Sequence, residues 1–187
     1  MDIDKGEVES LTEKYGGTWG INHTRRLLYL VDAIGAGRSY NREALWVAAH
    51  LHDWGAYAPW SQAGVDHARR SREVAEEFLK ERGVPEEFQT LVLECIAKHH
   101  TAGSDMSLEA MLLRDADVLD FLGVVGILRD VSKNPRDLRK AYEAIRKRRD
   151  TLPGLLRLEK ARELGAQRVK EMDAVLAQWD TESCGYF

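Results

Sequence analysis

Apolar residues along this chain recur at the spacing of a helix face, and no segment alternates apolar and polar residues as a half-buried strand would. The pattern shows no internal repeat and no low-complexity stretch. An all-α fold follows as the expectation. The spacing predicts a short helix over about Lys5–Lys14, ending before Tyr15-Gly16-Gly17, and a second that Asn22 caps and that runs to about Ile34. Gly35-Ala36-Gly37 closes it. A helix over about Arg42–Asp53 precedes a loop rich in Gly, Ala, Pro and Trp from Trp54 to Gly64. Asp66 opens a helix to about Arg82, stopped by Gly83. Pro85 suits a first turn, and its helix runs to about His100. Ser107 starts a long apolar helix to about Val131. After Asn134-Pro135 come a charged helix to about Arg149, a break at Pro153-Gly154 and a last helix to about Trp179. The tail from Asp180 to Phe187 is expected to be loose.

A chain of 187 residues suits one domain with a full-sized core, or one domain with a helical extension. A formal charge of -4 leaves no electrostatic footprint for nucleic acid or anionic lipid, so neither is an expected partner. The run Arg146-Lys147-Arg148-Arg149 reads as a solvated helix face. Cys95 and Cys184 lie far apart, which suggests a reducing compartment rather than a disulfide scaffold. Met1-Asp2-Ile3-Asp4-Lys5 is acidic and lacks the apolar core of a signal peptide. No run approaches the ~18 apolar residues of a membrane span. A cytoplasmic protein is the expectation.

All six histidines lie between positions 23 and 100. His23 shares a helix face with Leu27, Leu30 and Ile34, and His52 with Leu45, Ala48 and Ala49. His67 lines up with Ser71, Val74 and Phe78, and His99 with Phe88, Leu91, Val92, Cys95 and Ile96. Each points where its helix points its apolar stripe. One such histidine is usually a core residue bonded to a carbonyl. Four on four helices, with the carboxylate of Asp53 beside one, would each need a separate buried partner, whereas one cation can satisfy them all. Asp115, Asp117 and Asp120 stand among apolar residues in the helix that follows, and an ionised carboxylate there needs a counter-charge. Arg114 can serve one acid and a metal another. Spacing alone does not choose among the three.

The order His23 … His52-Asp53 … Asp117 resembles the HD-domain metal-dependent phosphohydrolase superfamily. Asn22-His23-Thr24-Arg25-Arg26 looks like its first helix, and Ala48-Ala49-His50-Leu51-His52-Asp53 like its signature helix. His67-Ala68-Arg69-Arg70-Ser71, Ile96-Ala97-Lys98-His99 and Arg114-Asp115-Ala116-Asp117-Val118-Leu119-Asp120 are similar to its later motifs. The likeness covers about residues 20 to 125. It implies a single all-α HD-type domain over 1–187, with C-terminal helices at about 135–180 that no motif covers. It also implies a primary metal held by His23, His52, Asp53 and Asp117. The ion could be Mn, Fe, Co, Ni, Zn or Mg, and one or two ions could bind. His67 and His99 stand where relatives hold a second cation, with Asp53 bridging the pair. They could instead hydrogen-bond a substrate phosphate or a water on the metal. Two features depart from the pattern. Trp54-Gly55-Ala56 carries no lysine after the signature pair, and His50 fills a usually apolar position, as a core or surface histidine or as a group that supports the metal ligands from behind. The apolar stripe and the family spacing favour His99 over His100.

The resemblance implies a phosphohydrolase that attacks a nucleotide or other small phosphate ester with metal-activated water. Asp53 would orient the water, while Arg26, Lys98 and Arg114 are candidates to neutralise phosphate oxygens. Trp54, Tyr57 and Trp60 could stack a nucleobase, close a lid or cover the core. Two other functions fit the same residues. One is a diiron oxygenase using His23, His52, Asp53, His67, His99 and Asp117. The other is a metal-binding sensory or interaction module without turnover. The helices from about Asp137 to Trp179 could line the pocket or form a homodimer contact.

Overall fold

Short polar side chains set where four of the helices begin. Asp4 accepts the backbone N–H of Glu7, Asn41 that of Ala44, Asp66 those of Ala68 and Arg69, and Asp137 that of Lys140. Each bond satisfies an N–H that the first helical turn leaves without a partner. The computed structural model describes residues 3–101, 103 and 105–186, and all regular structure among them is helical. The elements are α1 (Lys5–Ile34), α2 (Arg42–Leu51), a 3-10 turn at Trp54–Ala56, α3 (His67–Glu81), α4 (Glu86–Lys98) and α5 (Leu108–Asp120). They continue with α6 (Gly123–Lys133), α7 (Leu138–Thr151), a second 3-10 turn at Pro153–Leu155 and α8 (Glu159–Ser183). The expected all-α class holds. No helix of the described residues is long and apolar enough to cross a membrane.

Three boundaries differ from expectation. The first two predicted helices are one helix, α1, bent at Gly17, which alone in it leaves helical geometry (φ 62°, ψ -170°). Asn22 is therefore an exposed residue inside the second arm and not a cap. The neighbouring glycines make room for Tyr57. A Cβ on Gly16 would lie 2.7 Å from its ring, and one on Gly20 2.6 Å from its hydroxyl. The predicted helix from Ser107 to Val131 is two helices, because Gly123 takes a positive φ of 77°. Gly126 then comes so close to Phe121 that an added Cβ would lie 2.2 Å from the Phe121 carbonyl oxygen. Val124, Val125 and Leu128 consequently face outward. The last helix runs on to Ser183, so the first half of the stretch expected to be loose is helical. Phe187 lies outside the described residues, as do Met1 and Asp2 of the acidic N-terminus.

The chain forms two compact units, Met1–Ala116 and Asp117–Phe187. In the first, α2 packs between α1 and α4, α3 packs on α4, and the 3-10 turn after His52-Asp53 lies on α3 and touches α1. Leu27, Ile34, Leu45, Leu51, Trp54, Leu79, Val92 and Ile96 are all buried there. Each such side chain is worth about 1.5–3 kcal/mol relative to leaving it in water. In the second, α6 packs against α7 and α8. Its interior includes charge. Asp120 pairs with Arg129, and Asp130 with Arg148 at 2.8 Å. Both guanidinium groups lie over the Phe121 ring, about 4 Å from its centre.

Candidate metal centre

The site grows from helix ends, where the last backbone carbonyls lack helical partners. α2 ends at Leu51, and the next residue, His52, donates Nδ1–H to the Ala49 carbonyl at 2.8 Å. A carbonyl can only accept, so Nδ1 carries a proton and Nε2 is left to face away from the Ala49 carbonyl, toward His23. The Thr24 hydroxyl lies 3.3 Å from the same carbonyl, which ties α1 to α2 beside His23. α4 repeats the arrangement. It ends at Lys98, and His99 donates Nδ1–H to the Ile96 carbonyl at 2.6 Å. Metal-binding histidines are commonly oriented by a carbonyl in this way.

Asp53 lies between two groups of imidazoles. On one side, His23 Nε2 and His52 Nε2 are 3.3 Å apart, and Asp53 Oδ2 lies 3.4 Å from His52 and 3.8 Å from His23. On the other side, Asp53 Oδ1 lies 3.9 Å from His67 Nε2. His67 is the first residue of α3, directly after its cap Asp66. Its Nε2 is 2.8 Å from that of His100, and the ring of His99 stands 3.9 Å from the ring of His100. One ligand atom from each of His67, His99 and His100 falls within 4.8 Å of the others, as do those of His23, His52 and Asp53. His23, His52 and His99 are buried, while Asp53, His67 and His100 reach solvent.

These groups fit a metal. The triangle formed by His23 Nε2, His52 Nε2 and Asp53 Oδ2 has a circumradius of about 2.0 Å. That is the usual bond length from a divalent ion to an imidazole nitrogen or a carboxylate oxygen. Two buried imidazole nitrogens converging on one partly buried carboxylate oxygen make a donor set that a cation stabilises.

The other expected site residues fall in varied places. Arg26 is half-buried on α1, one turn past His23. Lys98 is already engaged, since its ammonium pairs with Glu94 at 3.1 Å and donates to the Asp105 carbonyl. Arg114 is buried and lies 3.7 Å from Asp115, and Arg129 meets Asp120, so arginines supply the counter-charge for two of the three buried acids. Asp117, the third, is buried in α5. Trp54 is wholly enclosed, with its indole N–H donated to Thr12, its face stacked on Trp60 at 4.5 Å and Phe78 edge-on at 5.0 Å. No face of that ring is open to a nucleobase. Trp60 covers it, held by Tyr15 at its edge and by Arg70, which donates to its carbonyl. His50 is a core histidine. It stacks on Trp46 and bonds the Trp46 carbonyl, and burial holds its pKa below the usual value. His100 is the residue that the apolar stripe passed over. Its signal was the His99-His100 doublet at a helix end, where consecutive side chains need not diverge.

The family profile described as HD domain matches residues 20–122. Among solved structures, a predicted HD superfamily hydrolase from an uncultured Thermotogales bacterium is similar over 94% of this chain and 92% of its own, at 25% identity and TM-score 0.68. Bacillus subtilis YpgQ in complex with ADP is similar over 96% and 95%, at 22% identity and TM-score 0.72. An HD-superfamily hydrolase from Bacillus thuringiensis is similar over 96% of each chain, at 22% identity and TM-score 0.73. No curated protein matches the chain. With more than half of its length matched and the His-Asp pair at the centre of the histidine cluster, this chain belongs to the HD-domain family.

Proposed function

We propose that this protein is a metal-dependent phosphohydrolase that cleaves a nucleotide or another small phosphate ester with water. The observation that carries this reading is the approach of His23 Nε2, His52 Nε2 and Asp53 Oδ2 at 3.3 to 3.8 Å. Family membership supports a hydrolase in general, and the ADP in the YpgQ structure motivates the nucleotide. His23, His52 and Asp53 would hold the ion, and the family motif adds Asp117 to that set. When bound, a divalent ion supplies Lewis acidity toward phosphoryl oxygens and makes water acidic enough to attack near neutral pH.

The protein side chains do the rest. Asp53 is only partly buried, and an ionised carboxylate only accepts hydrogen bonds, so it can fix a water by taking one of its protons in a hydrogen bond. The Ala49 carbonyl keeps the His52 ring from turning. Arg26 is the cation we assign to the phosphate oxygens, where a planar guanidinium can make paired hydrogen bonds. Water's oxygen ends on phosphorus as the ester P–O bond breaks, and the leaving oxygen takes up a proton. Phosphate release from nucleoside phosphates, pyrophosphate and sugar phosphates with Mn or Co tests this. Release that falls by at least ~10²-fold in Asp53→Ala supports it, and no release across the panel overturns it.

The position of Asp53 between two imidazole groups also favours a second reading, a diiron oxygenase on the same ligands. Oxygen uptake by iron-loaded protein with an organic substrate, without phosphate release, would select it. Metal binding with neither activity would select the sensory or interaction module.

A further inference from the structure

We propose that Trp19 is the platform on which this protein stacks the base of a nucleotide whose phosphates lie beside His23 and Arg26. The proposal rests on the phosphohydrolase reading and narrows its substrate to nucleotides.

Three residues of α1 share one stripe. On a regular helix Trp19 lies about 40° and Arg26 about 60° around the axis from His23, both on the same side of it. Trp19 stands about 6 Å before His23 along the axis, and Arg26 about 4.5 Å beyond it. Gly17, where α1 bends, precedes all three, so helical geometry is unbroken across them. Exposure changes steeply around the stripe. His23 is 2% exposed and Trp19 42%, and Arg26 is half-buried. The stripe therefore leads from the buried imidazole out to solvent and carries a large flat ring at its outer edge.

A single exposed apolar side chain is ordinary on a protein surface. What distinguishes Trp19 is its place one turn before His23, while the other rings close to Asp53 are committed to packing. Trp54 is enclosed and stacked on Trp60, and Tyr15 stands against the edge of Trp60. Tyr57 fills the notch at Gly16 and Gly20, and Gly20 lies about 60° from His23 on the side away from Trp19.

An indole selects by shape and not by hydrogen bonding. Every base has a π face, so stacking on Trp19 would tolerate different bases and still favour nucleotides over phosphates that lack one. A base stacked on an aromatic side chain contributes about 5- to 150-fold in affinity. One helical turn between the ring and His23 matches a ligand whose base and phosphate are separated by a sugar. A Trp19 that only shields the site or packs on α1 would instead affect ligands with and without a base alike.

Calorimetric titration of Mn²⁺-loaded protein with the methylene-bridged analogue of ADP, and with methylenediphosphonate as its base-free counterpart, separates the two. Trp19→Ala should bind the nucleotide analogue at least ~5-fold more weakly and bind methylenediphosphonate as wild type does. Trp19→Phe should keep most of the affinity for the analogue. The KM for ADP should rise in Trp19→Ala by a similar factor with kcat little changed, because the stack is made equally in the ground state and the transition state. Trp19 is exposed, so unfolding of the metal-free variants should match that of wild type. Equal weakening of both ligands in Trp19→Ala overturns the proposal, as does undiminished binding of the analogue, or wild type that binds the analogue no more tightly than methylenediphosphonate. Failure of the phosphohydrolase reading looks different, because the analogue would then bind in a Trp19-dependent way while ADP released no phosphate.

Discussion

The backbone N–H of Gly55 donates to the Ser71 hydroxyl at 2.8 Å, in a buried bond that holds the turn after Asp53 on the first turns of α3. His67 begins α3, and Asp53 begins the turn. The Gly55–Ser71 bond therefore fixes two separate segments so that Asp53 Oδ1 and His67 Nε2 face each other. Gly55 is required by space. A Cβ there would lie 2.3 Å from the Ser71 nitrogen and 2.6 Å from the His67 carbonyl oxygen, both of them backbone atoms.

Gly55→Ala should therefore destabilise the metal-free protein by about 1–3 kcal/mol through overpacking. It should also weaken binding of any ion that His67 holds. Ser71→Ala leaves a buried N–H without its acceptor and should cost about 1–3 kcal/mol. Urea unfolding of the metal-free variants measures both. A Gly55→Ala midpoint equal to that of wild type would show that the turn does not press on α3 as described.

Asp53 presents one oxygen to each imidazole group, so its removal should be felt on both sides. Asp53→Asn keeps the shape and removes the charge. It should weaken Co²⁺ binding at both sites by at least ~10-fold, where His23→Ala or His67→Ala weakens one. Calorimetric titration of the three variants decides the matter. Undiminished binding to Asp53→Asn at either site would mean that the carboxylate does not span the two.

The parts of this site that follow helix periodicity were readable from sequence. His23, His52 and His99 lie on apolar stripes, and all three are buried. What periodicity could not carry is what happens where a helix stops. His100 stands off the stripe of α4 and reaches the cluster only because the chain turns after Lys98. The same blindness hid the partner of Asp120. Apolar spacing continues past it without interruption, and on an unbroken helix Arg129 would lie about 13 Å farther along the axis. The positive φ of Gly123 and its bend bring the two side chains into contact. Gly17 misled in the other direction, since a glycine pair that reads as a terminus serves here as a bend within α1.

A ligand that binds only the folded chain stabilises it by mass action, by about 2.7 kcal/mol at a concentration 100 times its Kd. Co²⁺ or Mn²⁺ should therefore raise the Tm of metal-stripped protein by several degrees, and a chelator should reverse the shift. His52→Ala should lose most of it. A Tm insensitive to every divalent transition metal would argue that the imidazoles are satisfied without an ion.

Asp120 and Arg129 are both nearly inaccessible to solvent. Arg129→Met would leave a buried carboxylate without its cation and should cost about 3–5 kcal/mol. Adding Asp120→Leu should return much of that stability, because the charge that needed compensation is gone. Denaturant unfolding of the single and double variants is the check. A single variant as stable as wild type would mean that the pair is dispensable.

Cys95 offers a probe of the first unit that does not depend on activity. It is fully buried on α4, and burial, reinforced by the negative charges of Glu94 and Glu109, pushes its thiol pKa well above the ordinary value. Only the thiolate reacts with disulfide reagents, so Cys95 should be inert in native protein while the exposed Cys184 is labelled. One thiol per chain should react in buffer and two in guanidinium. Slow labelling of Cys95 in buffer would then report the opening of α4. The carbonyl of the next residue, Ile96, holds His99 in place, so an ion bound to His99 should make that opening rarer and slow the labelling further. Cys95 reacting as fast as Cys184 in native buffer would contradict the packing, and labelling of Cys95 at a rate unaffected by Co²⁺ would contradict the link to His99.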